Sequence, residues 1–280
     1  RQRLAAKHDL GVRTLPAEVM VEWTRRYDLH RRRLLLSETL GPSSRAFAIA
    51  YQLALAEHGQ ALHDMVQAAN APDGPTRSLL KVALTNTLAA AILMPYAAFQ
   101  RTAEETGYDL ARLQARFGVS YEQAAHRLTT LSRPTARGVP FFLMRVDQAG
   151  NISKRYAAGA FPFSRFGGAC PLWNVHEAVA VPDRINVQLG ETPDGVRYVS
   201  MAKGLVKPSG SYKRTPRRYA VVLGCEVTHA ANFVYADGLH LQEEGAATPI
   251  GITCRLCPRQ SCDQRAFPPA DRPIHVDPDN

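Results

Sequence analysis

This sequence has no segment that is both long and apolar enough to cross a bilayer as one helix. The nearest, Leu79 to Phe99, carries Lys81, Thr85, Asn86 and Thr87 and is broken by Pro95. A spanning helix needs about 20 nearly unbroken apolar residues, so this stretch reads as a buried helix of a soluble core. A charged-then-apolar leader is also missing. The first residue is Arg1, and the chain reads as a fragment of a longer protein. Acids are scarce, 25 against 34 lysines and arginines, for a net charge of +9 and a pI near 9.5. That imbalance calls for an anionic partner: nucleic acid, a phosphorylated ligand or a membrane surface. With 45% apolar and 21% charged residues the composition is that of a globular protein, not a disordered one. No internal repeat is visible, and 280 residues suffice for one large core or two or three smaller ones.

Cysteine is scarce as well, five in all, yet three fall in Cys254-Arg255-Leu256-Cys257-Pro258-Arg259-Gln260-Ser261-Cys262. The C-x2-C step turns two thiolates toward one centre, and the x4 loop brings a third. Cys225, after Gly224 at the end of an apolar run, is the expected fourth ligand. Four thiolates imply an iron–sulfur cluster or a structural zinc. Pro258 beside a ligand and the three-plus-one grouping favour a [4Fe–4S] cluster, because zinc sites more often use two close pairs. Free thiols flanked by Arg255, Arg259 and Arg265 would be easily oxidised. Clustered thiols without a secretory leader place the chain in a reducing cytoplasm.

The pattern along the chain predicts an α+β protein in three parts. Residues 1–133 read as helical, with starts at Pro16, with Glu18 in its first turn, and after Gly41-Pro42-Ser43-Ser44. Asp109 and Ser120 are N-cap candidates, and Ser120 to Gln123 spells a capping box. Residues 134–223 read as a small mixed sheet, with strands at Phe141–Val146, Val179–Val181, Ile185–Gln188, Val196–Met201 and Tyr219–Leu223. Residues 224–280 form the cysteine-rich region.

Taken together, these residues resemble a known family. The carriers are Arg26-Tyr27-Asp28, Arg31–Leu34, Leu36-Ser37-Glu38, Arg45-Ala46-Phe47, Ile92-Leu93-Met94-Pro95, Phe161–Trp173, Leu223-Gly224-Cys225, Tyr235–Leu239, Pro249-Ile250-Gly251 and Cys254–Cys262 with Arg265–Pro269. They are similar to the ligand-sensing half of bacterial transcriptional regulators of short-chain fatty acid and methylcitrate-cycle genes, the PrpR/RamB/ScfR type. The resemblance implies a non-enzymatic sensor of acyl-CoA, with DNA bound through an N-terminal helix-turn-helix outside this chain. It also implies a homo-oligomer and no membrane partner. Its helical part is similar to a zinc peptidase whose active relatives read R-F-x-x-A-H-E-L-G-H. Here Tyr51 and Leu55 replace the two histidines, Gln52 the general base, and Leu84 the third ligand. His58 and His63 are five apart, about 140° around a helix, and cannot rescue the site. Zinc hydrolysis needs two imidazoles a turn apart and a carboxylate, so this is a former catalytic scaffold.

Leu113–Ser120 with a capped helix after it has the rhythm of a DNA-reading hairpin, but reads as a closing hairpin of the scaffold. Arg25, Arg26 and Arg31–Arg33 form one basic cluster. Lys203, Lys207, Lys213, Arg214, Arg217 and Arg218 form another, six cations without an acid in sixteen residues, around a Pro/Gly/Ser loop. Such a loop can hold the pyrophosphate and 3′-phosphate of coenzyme A, or contact DNA phosphates. Phe161, Phe163, Phe166 and Trp173 are expected to line an apolar slot for a pantetheine arm or acyl chain, with Arg155 and Arg165 on carbonyls or phosphates. Cys170 is read as a small packing residue. The competing readings are an iron–sulfur or zinc enzyme acting on a CoA substrate, and a zinc-ribbon module of a nucleic-acid-binding protein.

Overall fold

The computed structural model describes residues 1–163, 169–210, 212–213 and 215–273. The chain divides into two compact units: Arg1–Thr102 with Leu110–Arg127 and Pro208–Arg214, and Ala103–Asp109 with Leu128–Lys207 and Thr215–Asn280.

The first unit holds α1 (Gln2–His8), β1 (Gly11–Leu15), β2 (Arg25–Asp28), β3 (Arg33–Ser37), α2 (Pro42–Ala68), α3 (Gly74–Leu93) and most of α4 (Tyr96–Glu105), then α5 (Leu110–Phe117) and α6 (Tyr121–Leu128). It is not purely helical. Its strands form a sheet in the order β1-β3-β2, whose Leu34 and Leu36 pack with Leu4, Leu10 and Ala48. The expected helix start at Pro16 is instead a turn after β1. At α2, Pro42 sits in the first turn, where its missing N–H costs nothing. Arg45 ties the entry down by donating to Leu40 O at 2.6 Å and Glu38 O at 3.0 Å. Asp73 caps α3 by accepting from Thr76 N at 2.6 Å. The capping box is formed: Ser120 N donates to Gln123 Oε1 at 2.8 Å, and Gln123 N to Ser120 Oγ at 3.3 Å.

The apolar stretch from Leu79 does not make a buried helix. Leu79 is 70% exposed, and only Thr85 and Ala89 of α3 are fully covered. Among the described residues no single helix is long and apolar enough to cross a membrane; α3 and α4, bent by 64°, reach that length and composition only together.

The second unit is built on an antiparallel sheet ordered β7-β6-β10-β9-β8. Its members are β6 (Phe142–Asp147), β7 (Ile152–Ala157), β8 (Ile185–Glu191), β9 (Arg197–Lys207) and β10 (Arg217–Glu226); a small hairpin of β4 (Ser132–Arg133) and β5 (Ala136–Arg137) precedes it, and α7 (Val175–Ala180) joins β7 to β8. The segment Val179–Val181, read as a strand, is the end of α7. The expected boundary at 223/224 falls inside β10, so the sheet and the cysteine-rich tail belong to one unit.

Register sorts the side chains into two faces. Phe142, Met144, Ala202, Ala220 and Val222 share a core with Val175 and Ala178 of α7, so they face the helix. Their sequence neighbours Leu143, Val199, Met201, Val221, Leu223 and Cys225, all buried, point the other way, since side chains alternate along a strand. Two glycines let the α7 side close. A Cβ on Gly204 would lie 1.9 Å from Ala178 O, and one on Gly224 2.5 Å from the Phe142 ring. Only hydrogen permits those approaches.

Candidate functional site

At the former peptidase positions the geometry is that of a core. Tyr51 packs with Ala50 and Ala89, supported by Phe47, Leu55, Ile92 and Leu93, and the Arg25 guanidinium sits 3.8 Å above its ring. Gln52 is buried. Tyr51 and Leu55, at the positions of the two histidines, are part of this packed cluster.

The cysteines are gathered differently from the sequence expectation. Cys170, Cys254, Cys257 and Cys262 line one small cavity with Pro171, Pro249, Gly251, Thr253, Arg259 and Arg265. A Cβ on Gly251 would stand 3.0 Å from the Cys257 sulfur and 3.9 Å from that of Cys170, so both sulfurs crowd this glycine. Burial pushes the Cys170 thiol pKa up, and negative charge on Cys254 and Cys257 pushes it the same way. Cys225 lies elsewhere. It faces away from α7, wholly buried, and burial, with Glu226 adding to it, pushes its pKa up to about 12. The expected ligand Cys225 is therefore a packing residue, and the expected packing residue Cys170 joins the other three.

Apart from one 3-10 turn at Cys254–Leu256, the tail around these thiols is coil and turns, held by arginines on carbonyl oxygens. Arg265 donates to Cys254 O at 3.0 Å and also to Arg259 O. Arg272 reaches Cys257 O at 3.3 Å and Arg259 O at 2.8 Å, while Arg259 anchors the tail to Glu191 O at 2.9 Å. The Ala266 N–H donates to the Cys254 sulfur at 3.4 Å. The space between the thiols is about 10 Å³, enough for roughly one water. Among the described residues no three His, Cys, Asp or Glu side chains converge closely enough to hold a metal ion.

Next to the cysteines lies a cavity of about 670 Å³. Arg184 through Leu189 form one wall. Pro171 to Asn174, His176 and Glu177 form another, and Gly238–His240, Ala246 and Thr248 close it. Pro171 lines both this cavity and the thiol cluster, and Thr248 and Pro249 are chain neighbours on either side of the partition. Trp173, Asn174 and Asn186, each at most 9% exposed, line the cavity. Trp173 Nε1, Asn174 Oδ1 and Asn186 Nδ2 are buried atoms without a hydrogen-bond partner among the described residues.

The other residues expected at a ligand site are dispersed. Phe161 stacks on Phe142 at 3.9 Å and meets the Tyr198 ring edge-on at 4.9 Å. It is core, not pocket lining. Trp173 is both. Arg155 lies on edge strand β7, across the whole sheet from β8 and its cavity. Arg165, Phe166 and Arg214 lie outside the described residues.

The basic stretch is split between the units. Lys203, Lys207, Arg217 and Arg218 belong to the sheet, while Pro208–Arg214, with Lys213, groups with the helical unit. Lys203 does have a counter-charge, Asp183 at 3.5 Å. Lys207 and Arg217 are cross-strand partners. Lys207 lies 5.2 Å from the Tyr219 ring and Arg145 lies 5.1 Å from it. Arg145, with its cross-strand partner Lys154, was missed from sequence. Its outward position in an otherwise apolar strand was the available signal.

Comparison with known proteins agrees with this architecture. Residues 5–129 match the IrrE N-terminal-like peptidase domain, and residues 130–280 match the C-terminal region of the short-chain fatty acyl coenzyme A regulators. A propionyl-CoA carboxylase regulator of Cereibacter sphaeroides is 50% identical over 246 residues, 88% of this chain and 53% of that protein. The HTH-type transcriptional regulators RamB and PrpR of Mycobacterium tuberculosis are 44% and 43% identical, over 90% of this chain and 54% and 52% of theirs. The chain thus spans about half the length of the curated relatives it matches. A solved Mycobacterium tuberculosis transcriptional regulator superposes with a TM-score of 0.93 at 39% identity, covering 100% of this chain and 84% of that one. The chain belongs to the short-chain fatty acyl coenzyme A regulator family.

Proposed function

We propose that this chain is the effector-sensing part of a cytoplasmic transcriptional regulator of propionate and short-chain acyl-CoA metabolism, and that it binds an acyl-CoA in the cavity beside β8. The observation that carries this is the cavity itself. Its 670 Å³ is of small-molecule size, and it lies in the part of the chain that matches the acyl coenzyme A regulators. One end is closed by Thr248, which pairs with Leu189 and Glu191. At the other end Arg184 lines the wall, and β9 runs on past the start of β8 beside Arg218 of β10, whose position in the register shares the α7 face with Ala220 and Val222. A ligand with an apolar head and a phosphorylated tail would lie with its phosphates toward those cations. Operator recognition and self-association would reside in the part of the regulator outside this chain. Calorimetry with propionyl-CoA tests the reading. Combined replacement of Arg184 and Arg218 by Ala should weaken binding by roughly tenfold, as expected for two partly screened charge-assisted contacts. Unchanged CoA affinity with weaker DNA binding by the full-length protein would move these cations to a nucleic-acid surface.

The same module would hold a four-thiolate centre through Cys170, Cys254, Cys257 and Cys262. The donor set suits iron–sulfur binding: four soft ligands, a backbone N–H on one sulfur, and carbonyls fixed by arginine. The room between them does not suit a bound cluster as it stands, so uptake requires the coil around Cys254–Cys262 to spread. When bound, such a cluster would cross-link the tail to the sheet unit. A single zinc ion is the alternative; broad absorbance near 400 nm would report iron and its absence in a metal-loaded protein zinc.

A further inference from the structure

The wall of the cavity formed by β8 is an unfinished sheet edge. Thr248 N donates to Leu189 O at 2.8 Å, and Glu191 N donates to Thr248 O at 2.8 Å. These bonds show that the odd-numbered residues of β8 turn their backbone groups outward, because residues of an antiparallel strand alternate between facing the partner strand and facing away. Ile185 and Val187 share that orientation and, among the described residues, have no further strand beside them. Among the described residues, their outward N–H groups and the Leu189 N–H find no acceptor, and their outward C=O groups no donor. From Ile185 to Leu189 this open edge runs about 13 Å at the usual rise per residue.

A second observation points to the same place. Asn174 spends its amide N–H groups on Asn186 O at 2.9 Å and Ser200 O at 3.4 Å, leaving Oδ1 unused. Among the described residues, Asn186 Nδ2 and Trp173 Nε1 have no acceptor. Buried polar atoms are almost always paired, and three orphans in the lining of one cavity mark a site whose bonds await a ligand. The inventory is one acceptor and two donors in the side chains, beside alternating donors and acceptors along the backbone. A phosphate would not use it, since it offers no donor. An extended chain of secondary amides would.

We propose that the β8 edge binds the pantetheine arm of the acyl-CoA as a surrogate strand, with Val187 pairing one amide and Asn174, Asn186 and Trp173 turning to the other polar groups. The inference rests on the acyl-CoA reading above and names how that ligand is held.

Two substitutions separate this role from a structural one. Val187→Pro removes an outward N–H while leaving the ladder to β9 intact, the one setting in which an edge strand tolerates proline. Asn186→Ala removes an unpaired buried donor, which should leave the unliganded protein as stable or more so. Binding of propionyl-CoA, propionyl-pantetheine and adenosine 3′,5′-bisphosphate to the 280-residue chain would be measured by calorimetry. The expected result is a loss of roughly threefold to tenfold per substitution for both thioesters, no change for the bisphosphate, and no fall in melting temperature for Asn186→Ala. Unaltered thioester affinity in both variants would overturn the inference while leaving the effector reading intact. Failure of the wild-type chain to bind any thioester would overturn the effector reading and this one with it. Binding of an N-acetyl dipeptide amide, but not of propionyl-pantetheine, would show that the edge takes a peptide and would overturn the assignment to a thioester.

Discussion

The two faces of the five-stranded sheet are built by alternate residues of the same strands, yet their chemistry differs. Away from α7, Leu143, Val199, Met201, Val221, Leu223 and Cys225 make a dry wall in which a thiol is held neutral, its pKa raised to about 12. Toward α7 the wall is aromatic and partly polar, and its rim carries Cys170, the orphan atoms of Trp173, Asn174 and Asn186, and the 670 Å³ cavity. Burial alone does not set these cysteines apart, for Cys170 is only 7% exposed and Cys225 is fully covered. What differs is the company of other thiols and polar groups. A buried cysteine becomes a candidate ligand only when the fold gives it neighbours of the same kind.

The sharpest way to break this contrast is to exchange the two cysteines' fates. Cys170→Ser and Cys257→Ser should each abolish iron incorporation in anaerobically prepared protein, measured by iron content and visible absorbance. Cys225→Ser should keep the iron and lose about 1–3 kcal/mol of stability, because its hydroxyl enters a dry strand position without a partner. Iron lost from Cys225→Ser but kept in Cys170→Ser would restore Cys225 as the ligand.

Closure of the α7 face offers the next test. Gly204→Ala places a methyl group 1.9 Å from Ala178 O, an overlap that requires α7 to move. Overpacking of this kind costs typically about 1–3 kcal/mol, and more where backbone must shift. Chemical denaturation should show at least that loss.

The smallest expected effect concerns reactivity with pH. With its pKa raised to about 12, Cys225 should resist alkylation in the native metal-free protein at pH 8–9, whereas Cys254, Cys257 and Cys262, which are half-buried, should react. The sign of the linked stability follows. A thiol kept neutral in the fold ionises more easily once unfolded, so Cys225 contributes no pH dependence below about pH 9. From there toward pH 12 it favours the unfolded chain progressively more. Alkaline melting curves of wild type and Cys225→Ala should diverge in that window, wild type falling faster.

Much of this was legible in the residues. The C-x2-C-x4-C run, the loss of peptidase ligands at Tyr51, Gln52, Leu55 and Leu84, the capping box at Ser120 and four of the five main strands follow from local spacing and pattern. The fourth thiol did not. Cys225 ends an apolar run next to a glycine and looked like a ligand at a strand end, but β10 continues through it to Glu226, and strand alternation turns it to the wrong face. Assigning faces requires knowing which side α7 covers, and that is a tertiary fact. The N-terminal sheet was hidden for a related reason. Its strands, Gly11–Leu15, Arg25–Asp28 and Arg33–Ser37, are short, and two of them bury little, so they show no clean alternation. The basic stretch was recognisable as charge, but Asp183, the partner of Lys203, lies twenty positions away and is joined to it only by folding.

Pro171 has a thermodynamic meaning beyond its place in the lining. It belongs to both the thiol cluster and the cavity, and Thr248 and Pro249 join the two again on the opposite side. Two sites separated by a single shared wall cannot be occupied independently if either occupant displaces that wall. Any change in effector affinity produced by filling the thiol centre must then be matched, as a free energy, by an equal change in the centre's affinity when the effector binds. If the proposed four-thiolate centre and acyl-CoA are both bound, their occupancies would be coupled through one short segment, Cys170–Asn174, and read as a single combined variable.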